Sequence, residues 1–89
     1  MSTIRIPPVL RENTGGSREL VAAGGTVSEA LDDLFARFPA LRERVTEGGH
    51  LSQFINVYVN GRDVRYAEGL ATSVGEADTI ILLPAMAGG

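Results

Sequence analysis

The sequence predicts an α+β fold, a mixed sheet of about five strands with one main helix packed across one face and a flexible C-terminal tail. Three observations predict it. A capped, amphipathic helical segment runs from Thr26 to Phe38. Stretches of period-two alternation flank it on both sides. An apolar run, Thr79 to Leu83, then leads directly into Pro84-Ala85-Met86-Ala87-Gly88-Gly89. A chain of 89 residues that is 44% hydrophobic has material for one modest core, so residues 1–89 are expected to form a single domain, with 84–89 as a projecting tail.

The first strand is expected at Thr3 to Pro7, where Ile4 and Ile6 share one face and Thr3 and Arg5 the other. Pro7-Pro8 ends it, because neither proline has an N–H to donate. Val9 and Leu10 are expected to pack inward. Arg11 to Gly16 is polar and closes with Thr14-Gly15-Gly16, which reads as a loop. Arg18 to Ala22 returns as a second strand with Leu20 and Ala22 on one face. The two strands suggest an antiparallel hairpin.

Thr26 followed by Glu29 predicts a capping box, with the hydroxyl accepting the Glu29 N–H and the carboxylate returning to the Thr26 N–H. Val27, Ala30, Leu31, Leu34, Phe35 and Phe38 fall on one helical face, whereas Glu29, Asp32, Asp33 and Arg37 should meet solvent. Adjacent helix residues diverge, so Asp32-Asp33 does not form a paired-carboxylate site. Pro39 stops this helix, and Leu41 and Val45 are spaced for a second, shorter one. Thr46 to Ser52 reads as a loop carrying His50. A single histidine without cysteine cannot complete a metal site of the usual ligand count.

Phe54 to Val59 alternates, with Ile55, Val57 and Val59 directed under the helix and Phe54, Asn56 and Tyr58 directed away. Asn60-Gly61 is a tight-turn signal, since both central residues of that turn need positive φ. Arg62 to Tyr66 is expected to return as the partner strand. Glu68 to Ala77 is turn-rich, with Leu70 and Val74 as anchors. Asp78 leads into the final strand, whose apolar run points to a central position. Hairpin, capped helix, hairpin and last central strand outline a β-grasp fold.

Composition excludes several functions. The formal charge of −3, with eight basic residues, offers no cluster to neutralise phosphates, so no nucleic-acid partner is expected. All eight are arginine, and without lysine the chain cannot accept an isopeptide bond on its own side chains. The absence of cysteine rules out disulfides and thiol chemistry and fits a cytoplasmic protein. No apolar run approaches membrane-spanning length, so no membrane partner is expected.

The reactive group left is the α-carboxylate of Gly89. Ala87 and Gly88 would let it enter a narrow channel, because glycine lacks a Cβ and adopts backbone conformations closed to other residues. Gly-Gly pairs also stand at 15–16, 24–25 and 48–49, so the pair signifies by its position after a strand. The sheet face away from the helix should carry Phe54, Tyr58, Ile81 and Leu83 around the base of the tail. With Met86 on the tail itself, they form a candidate docking patch. Aromatic residues on such a face can instead simply strengthen cross-strand pairs.

Ile6-Pro7 with Leu10-Arg11, Thr14-Gly15-Gly16, Phe54 through Asn60, Asp63-Val64-Arg65, Gly69-Leu70-Ala71-Thr72 and Leu83 through Gly89 carry a resemblance over nearly the whole chain. The segment from Ala40 to Ser52 carries little of it. The sequence resembles the ubiquitin-like sulfur carrier proteins of the MoaD/ThiS family, and within them the CysO branch. The resemblance implies a protein cosubstrate that is not itself an enzyme and binds no cofactor. It implies that an E1-like adenylating enzyme of the MoeB/ThiF/MoeZ kind uses ATP to adenylate Gly89. A sulfur donor then converts the adenylate to a thiocarboxylate. It further implies a sulfur-accepting, cysteine synthase-like PLP enzyme acting on an activated serine derivative, and a metalloprotease that releases the product. Molybdopterin, thiamine or a thiosugar remain open as destinations. A protein modifier acting through Gly89 and an interaction module with an inert tail also remain open.

Overall fold

Local sequence sets most of the elements in the computed structural model, which describes residues 1–85. In chain order they are β1 (Ser2–Arg5), β2 (Glu19–Ala22), α1 (Val27–Arg37), α2 (Pro39–Val45), β3 (Thr46–Glu47), β4 (His50–Leu51), β5 (Ile55–Val59), β6 (Arg62–Asp63) and β7 (Thr79–Pro84). Turns of 3₁₀ helix occupy Pro8–Thr14, Val64–Tyr66 and Gly69–Ala71. Five strands form one mixed sheet in the order β2-β1-β7-β5-β6, with β7 parallel to β1 and antiparallel to β5. The last strand is thus central, as its unbroken apolar run indicates. This is the β-grasp arrangement expected from the sequence.

The core lies between the sheet and α1. Ile4, Ile6, Val57, Ile80 and Leu82 on the sheet meet Val27, Ala30, Leu31, Leu34 and Phe35 on the helix, and Leu41 and Val45 of α2 extend the same cluster. Its size is what stabilises a chain this short, since burial contributes about 25 cal/mol per Å² of apolar surface. Leu10, Val64 and Val74 close the periphery. Val9 departs from expectation: it is exposed, because the 3₁₀ turn directs Leu10 rather than Val9 inward.

Thr26 caps α1, its Oγ1 accepting the Glu29 N–H at 3.1 Å. The return bond of the capping box differs from expectation. Glu29 Oε1 accepts from the Gly25 N–H at 2.8 Å, one residue earlier than Thr26. Gly24 makes this close approach possible: its φ is +120°, and a Cβ there would fall 2.5 Å from the Glu29 Cβ. Asp33 also departs from its expected solvated role. It is half-buried and accepts the Ala23 N–H at 2.9 Å, while Arg37 donates to the Val21 carbonyl at 2.7 Å. Both bonds satisfy backbone groups at edge strand β2, where the ladder has no further partner.

Two connections are more ordered than their composition suggests, and one expected strand is shorter. Arg11 to Gly16 is the end of a 3₁₀ turn rather than an open loop, and Thr14 is buried with its hydroxyl 3.2 Å from the Arg11 and Ser17 carbonyls. Thr46 to Ser52 holds the hairpin β3–β4, because Gly48 and Gly49 (φ +60° and +85°) supply the positive φ values of a two-residue turn. His50 stays exposed on it. The strand expected at Arg62 to Tyr66 ends at Asp63, whose side chain accepts the Arg65 N–H at 2.9 Å and turns the chain. Val64 is thereby directed into the core, and Tyr66 outward.

Candidate functional site: the base of the tail and the open sheet face

Successive residues of β7 divide between two environments. Ile80 and Leu82 are fully buried under α1, whereas Ile81 is half-buried and Leu83 is 42% exposed on the opposite face. Across the ladder, Tyr58 stands opposite Ile81 and Asn56 opposite Leu83. The period-two geometry of the two strands therefore places Tyr58, Ile81 and Leu83 on one open face.

β7 continues one residue past Leu83 and takes in Pro84, paired with Ile55. Pro84 has no N–H to give the ladder, and the next donor takes over: the Ala85 N–H bonds to the Phe54 carbonyl at 2.8 Å. Arg65 Nη2 donates to the Ile55 carbonyl at 3.4 Å on the same stretch. The chain is thus tied to β5 up to Ala85. Met86, Ala87, Gly88 and Gly89, named above for docking, access and sulfur carriage, lie outside the described residues.

Phe54 is separated from the other expected docking residues. It precedes β5 in a turn, is 59% exposed, and lines a groove of about 440 Å³ with Val9, Glu43, Arg44, Pro84 and Ala85. Ile81 and Leu83 line a second groove of about 660 Å³ on the other side of Pro84. Arg5, Arg11 and Arg18 rim that second groove. The sequence does not single out Arg11 or Arg18: Arg11 sits in a 3₁₀ turn, and Arg18 belongs to the expected strand Arg18 to Ala22, which begins only at Glu19. Arg5 alone had a signal, its place on the outward face of β1.

At the far end of β7 the charge pattern is local. Asn60 Nδ2 donates to Asp78 Oδ1 at 2.7 Å and the Gly75 N–H to Oδ2 at 2.8 Å. These two bonds hold the Asp78 carboxyl below the usual carboxylate range, the Asn60 bond more strongly. Asn60 Oδ1 also accepts the Thr79 N–H at 2.9 Å, so the turn residue with φ +50° clasps the start of the central strand. Among the described residues no cluster of histidine and carboxylates could hold a metal ion, and no helix is long and apolar enough to cross a membrane.

The sequence matches the ThiS family over residues 4–89. The chain belongs to that family. It is 41% identical over 90 residues to the sulfur carrier protein CysO of Mycobacterium tuberculosis, covering 98% of this chain and 97% of the relative. It is 49% identical over 88 residues to a putative sulfur carrier protein of Archaeoglobus fulgidus, covering 97% and 96%. The fold superposes with a TM-score of 0.92 and 44% identity on a chain of the Amycolatopsis orientalis BexX/CysO complex, covering all of both chains. It superposes at 0.87 and 33% identity on the small archaeal modifier protein 1 of Methanosarcina acetivorans, covering 99% and 95%. The ubiquitin-like β-grasp fold and the resemblance to CysO therefore stand, and the chain groups with small carriers rather than enzymes.

Proposed function

We propose that the chain carries sulfur on Gly89 for biosynthesis, with cysteine as the product it serves. A carboxylate is a poor electrophile. Its oxygen attacks the α-phosphorus of ATP on an activating enzyme, releasing pyrophosphate and leaving an acyl-adenylate. A sulfide-level nucleophile then attacks the acyl carbon and expels AMP, and the product is a C-terminal thiocarboxylate. That sulfur replaces the activating group on the β-carbon of an activated serine derivative on a PLP enzyme, expelling that group and leaving the new cysteine joined through sulfur to the Gly89 acyl carbon. Hydrolysis of the adduct by a metalloprotease returns the Gly89 carboxylate. ATP and PLP belong to the partners, and the chain binds neither.

The observation that supports this reading is the placement of β7. The central strand is fixed in the core through Ile80 and Leu82 and tied to β5 through Ala85. Met86 to Gly89 follow, four residues that span at most about 14 Å. A rigid body with a tail of that reach suits delivery of a carboxylate into a partner's channel, and the likeness to CysO favours cysteine as the destination. ATP–pyrophosphate exchange tests the first step. An activating enzyme should exchange label only when the chain is present, and not with a Gly88-Gly89 deletion. Exchange that is indifferent to the deletion would exclude Gly89 as the adenylated group.

The likeness to the archaeal modifier favours a second reading, attachment of Gly89 to lysines of other proteins. Recovery of peptides with the chain's C-terminus on lysine side chains would support it. Thiocarboxylate without such adducts would support the carrier.

A further inference from the structure

We propose that Arg5, Arg11 and Arg18 form a positive docking rim that takes an acidic protein surface at the mouth of the partner's channel. The inference rests on the carrier reading, in which the tail enters such a channel. The second groove has an apolar lining, with Pro7, Pro8, Ile81 and Leu83, and lies against Pro84. Its lining includes three of the chain's eight basic residues but one of its eleven acidic residues. That acid, Glu19, pairs with Arg5 at 3.8 Å. Arg11 and Arg18 have no acidic partner among the described residues. In an acidic chain this is a local reversal of sign next to the tail.

Arg11 is also fixed in place. Its Nε donates to the Ile6 carbonyl at 3.2 Å, and the two Nη groups are left for a partner. A guanidinium held this way loses less freedom on binding and presents a fork that fits a carboxylate. The other groove lacks this character, since it mixes Glu43 and Glu47 with Arg44, and Arg44 lies 4.0 Å from Glu12.

Geometry also selects the class of partner group. Gly89 is up to about 14 Å from Ala85 along an extended tail, so a groove at Pro84 contacts the rim of a channel whose chemistry occurs deeper inside. Aspartate and glutamate side chains on the enzyme surface meet that description, whereas nucleotide phosphates at the reacting carbon do not. Three arginines are also too few for a nucleic acid, whose binding is built on many neutralised phosphates. An overall acidic chain is repelled by an acidic partner in most orientations and attracted in one, which orients the encounter.

The test uses the full-length chain and the E1-like adenylating enzyme that supports pyrophosphate exchange with it. Affinity is measured between low and moderate salt for wild type, Arg11→Gln/Arg18→Gln and Arg11→Lys/Arg18→Lys. The glutamine pair should weaken binding at least tenfold at low salt, flatten the salt dependence and raise KM. The lysine pair should recover most of the affinity, and all three should melt within a few degrees of one another. Unchanged affinity, or a loss that salt does not modulate, overturns the docking rim while leaving the carrier reading intact. Self-association that disappears in the glutamine pair would assign the groove to a second copy and also overturn it. Failure of the wild-type chain to bind or be charged by any such enzyme overturns both readings together.

Discussion

Leu82 and Leu83 are adjacent in β7 and face opposite sides of the sheet, so truncating each in turn separates what holds the fold from what meets a partner. Leu82 is fully buried in the core. Its replacement by alanine removes three carbons, worth about 2.4 kcal/mol of transfer free energy at about 0.8 kcal/mol each. The cavity left behind raises the cost to about 3–4 kcal/mol. For a chain of 89 residues, total stability is of the order of 4–13 kcal/mol, so the variant loses a large fraction of it. Its thermal midpoint should fall by about 12–32 °C at about 4–8 °C per kcal/mol. Leu83→Ala, at a position 42% exposed, should cost about 1 kcal/mol or less. Urea unfolding followed by far-UV circular dichroism, with the m-value as a control for two-state behaviour, measures both. Leu83→Glu should then lower affinity for the activating enzyme at least tenfold, about 1.4 kcal/mol, in a folded protein. Equal destabilisation by Leu82→Ala and Leu83→Ala would refute the assignment of the two faces, and wild-type affinity of Leu83→Glu would remove the open face from docking.

Gly88→Ala should leave the urea midpoint unchanged and block charging, because a methyl group is added where the tail must pass a narrow channel; charging at the wild-type rate contradicts this. Gly24→Ala should destabilise by about 1–3 kcal/mol, since φ +120° and a Cβ 2.5 Å from that of Glu29 are both unfavourable; an unchanged urea midpoint contradicts it. Asp78 supplies the pH dependence. Its folded pKa lies below the unfolded value of about 3.9, so its contribution is complete above that value and is lost as pH falls through the folded pKa. The difference in melting temperature between wild type and Asp78→Asn should therefore shrink on acidification below about pH 4, and a constant difference from neutral to acidic pH would contradict the assigned bonds.

What the sequence conveys well is what neighbouring residues determine. Alternation in β1 and β5, the apolar run of β7, the helical stripe of α1 and the Asn60-Gly61 turn depend on residues a few positions apart, and each appears where expected. What the sequence conveys poorly depends on contacts formed only after folding. Asp33 is indistinguishable from a solvated helix residue until Ala23 is brought beside it. Asp63 ends β6 by a side-chain bond that competes with strand continuation. The site divides in the same way. Tyr58 follows from alternation and Ile81 and Leu83 from the two faces of a central strand, whereas Phe54 sits in the turn before β5, where alternation does not apply, and lines another groove. Arg11 and Arg18 come together with Leu83 only through the pairing of β1 with β2 and β7.

The intact mass of the purified chain, after incubation with ATP, a sulfide source and the activating enzyme, tests the carrier chemistry most directly. A gain equal to the replacement of one oxygen by sulfur is expected, localised to Gly89 and absent from the Gly88-Gly89 deletion. An unchanged mass with an enzyme that catalyses exchange on this chain would contradict it.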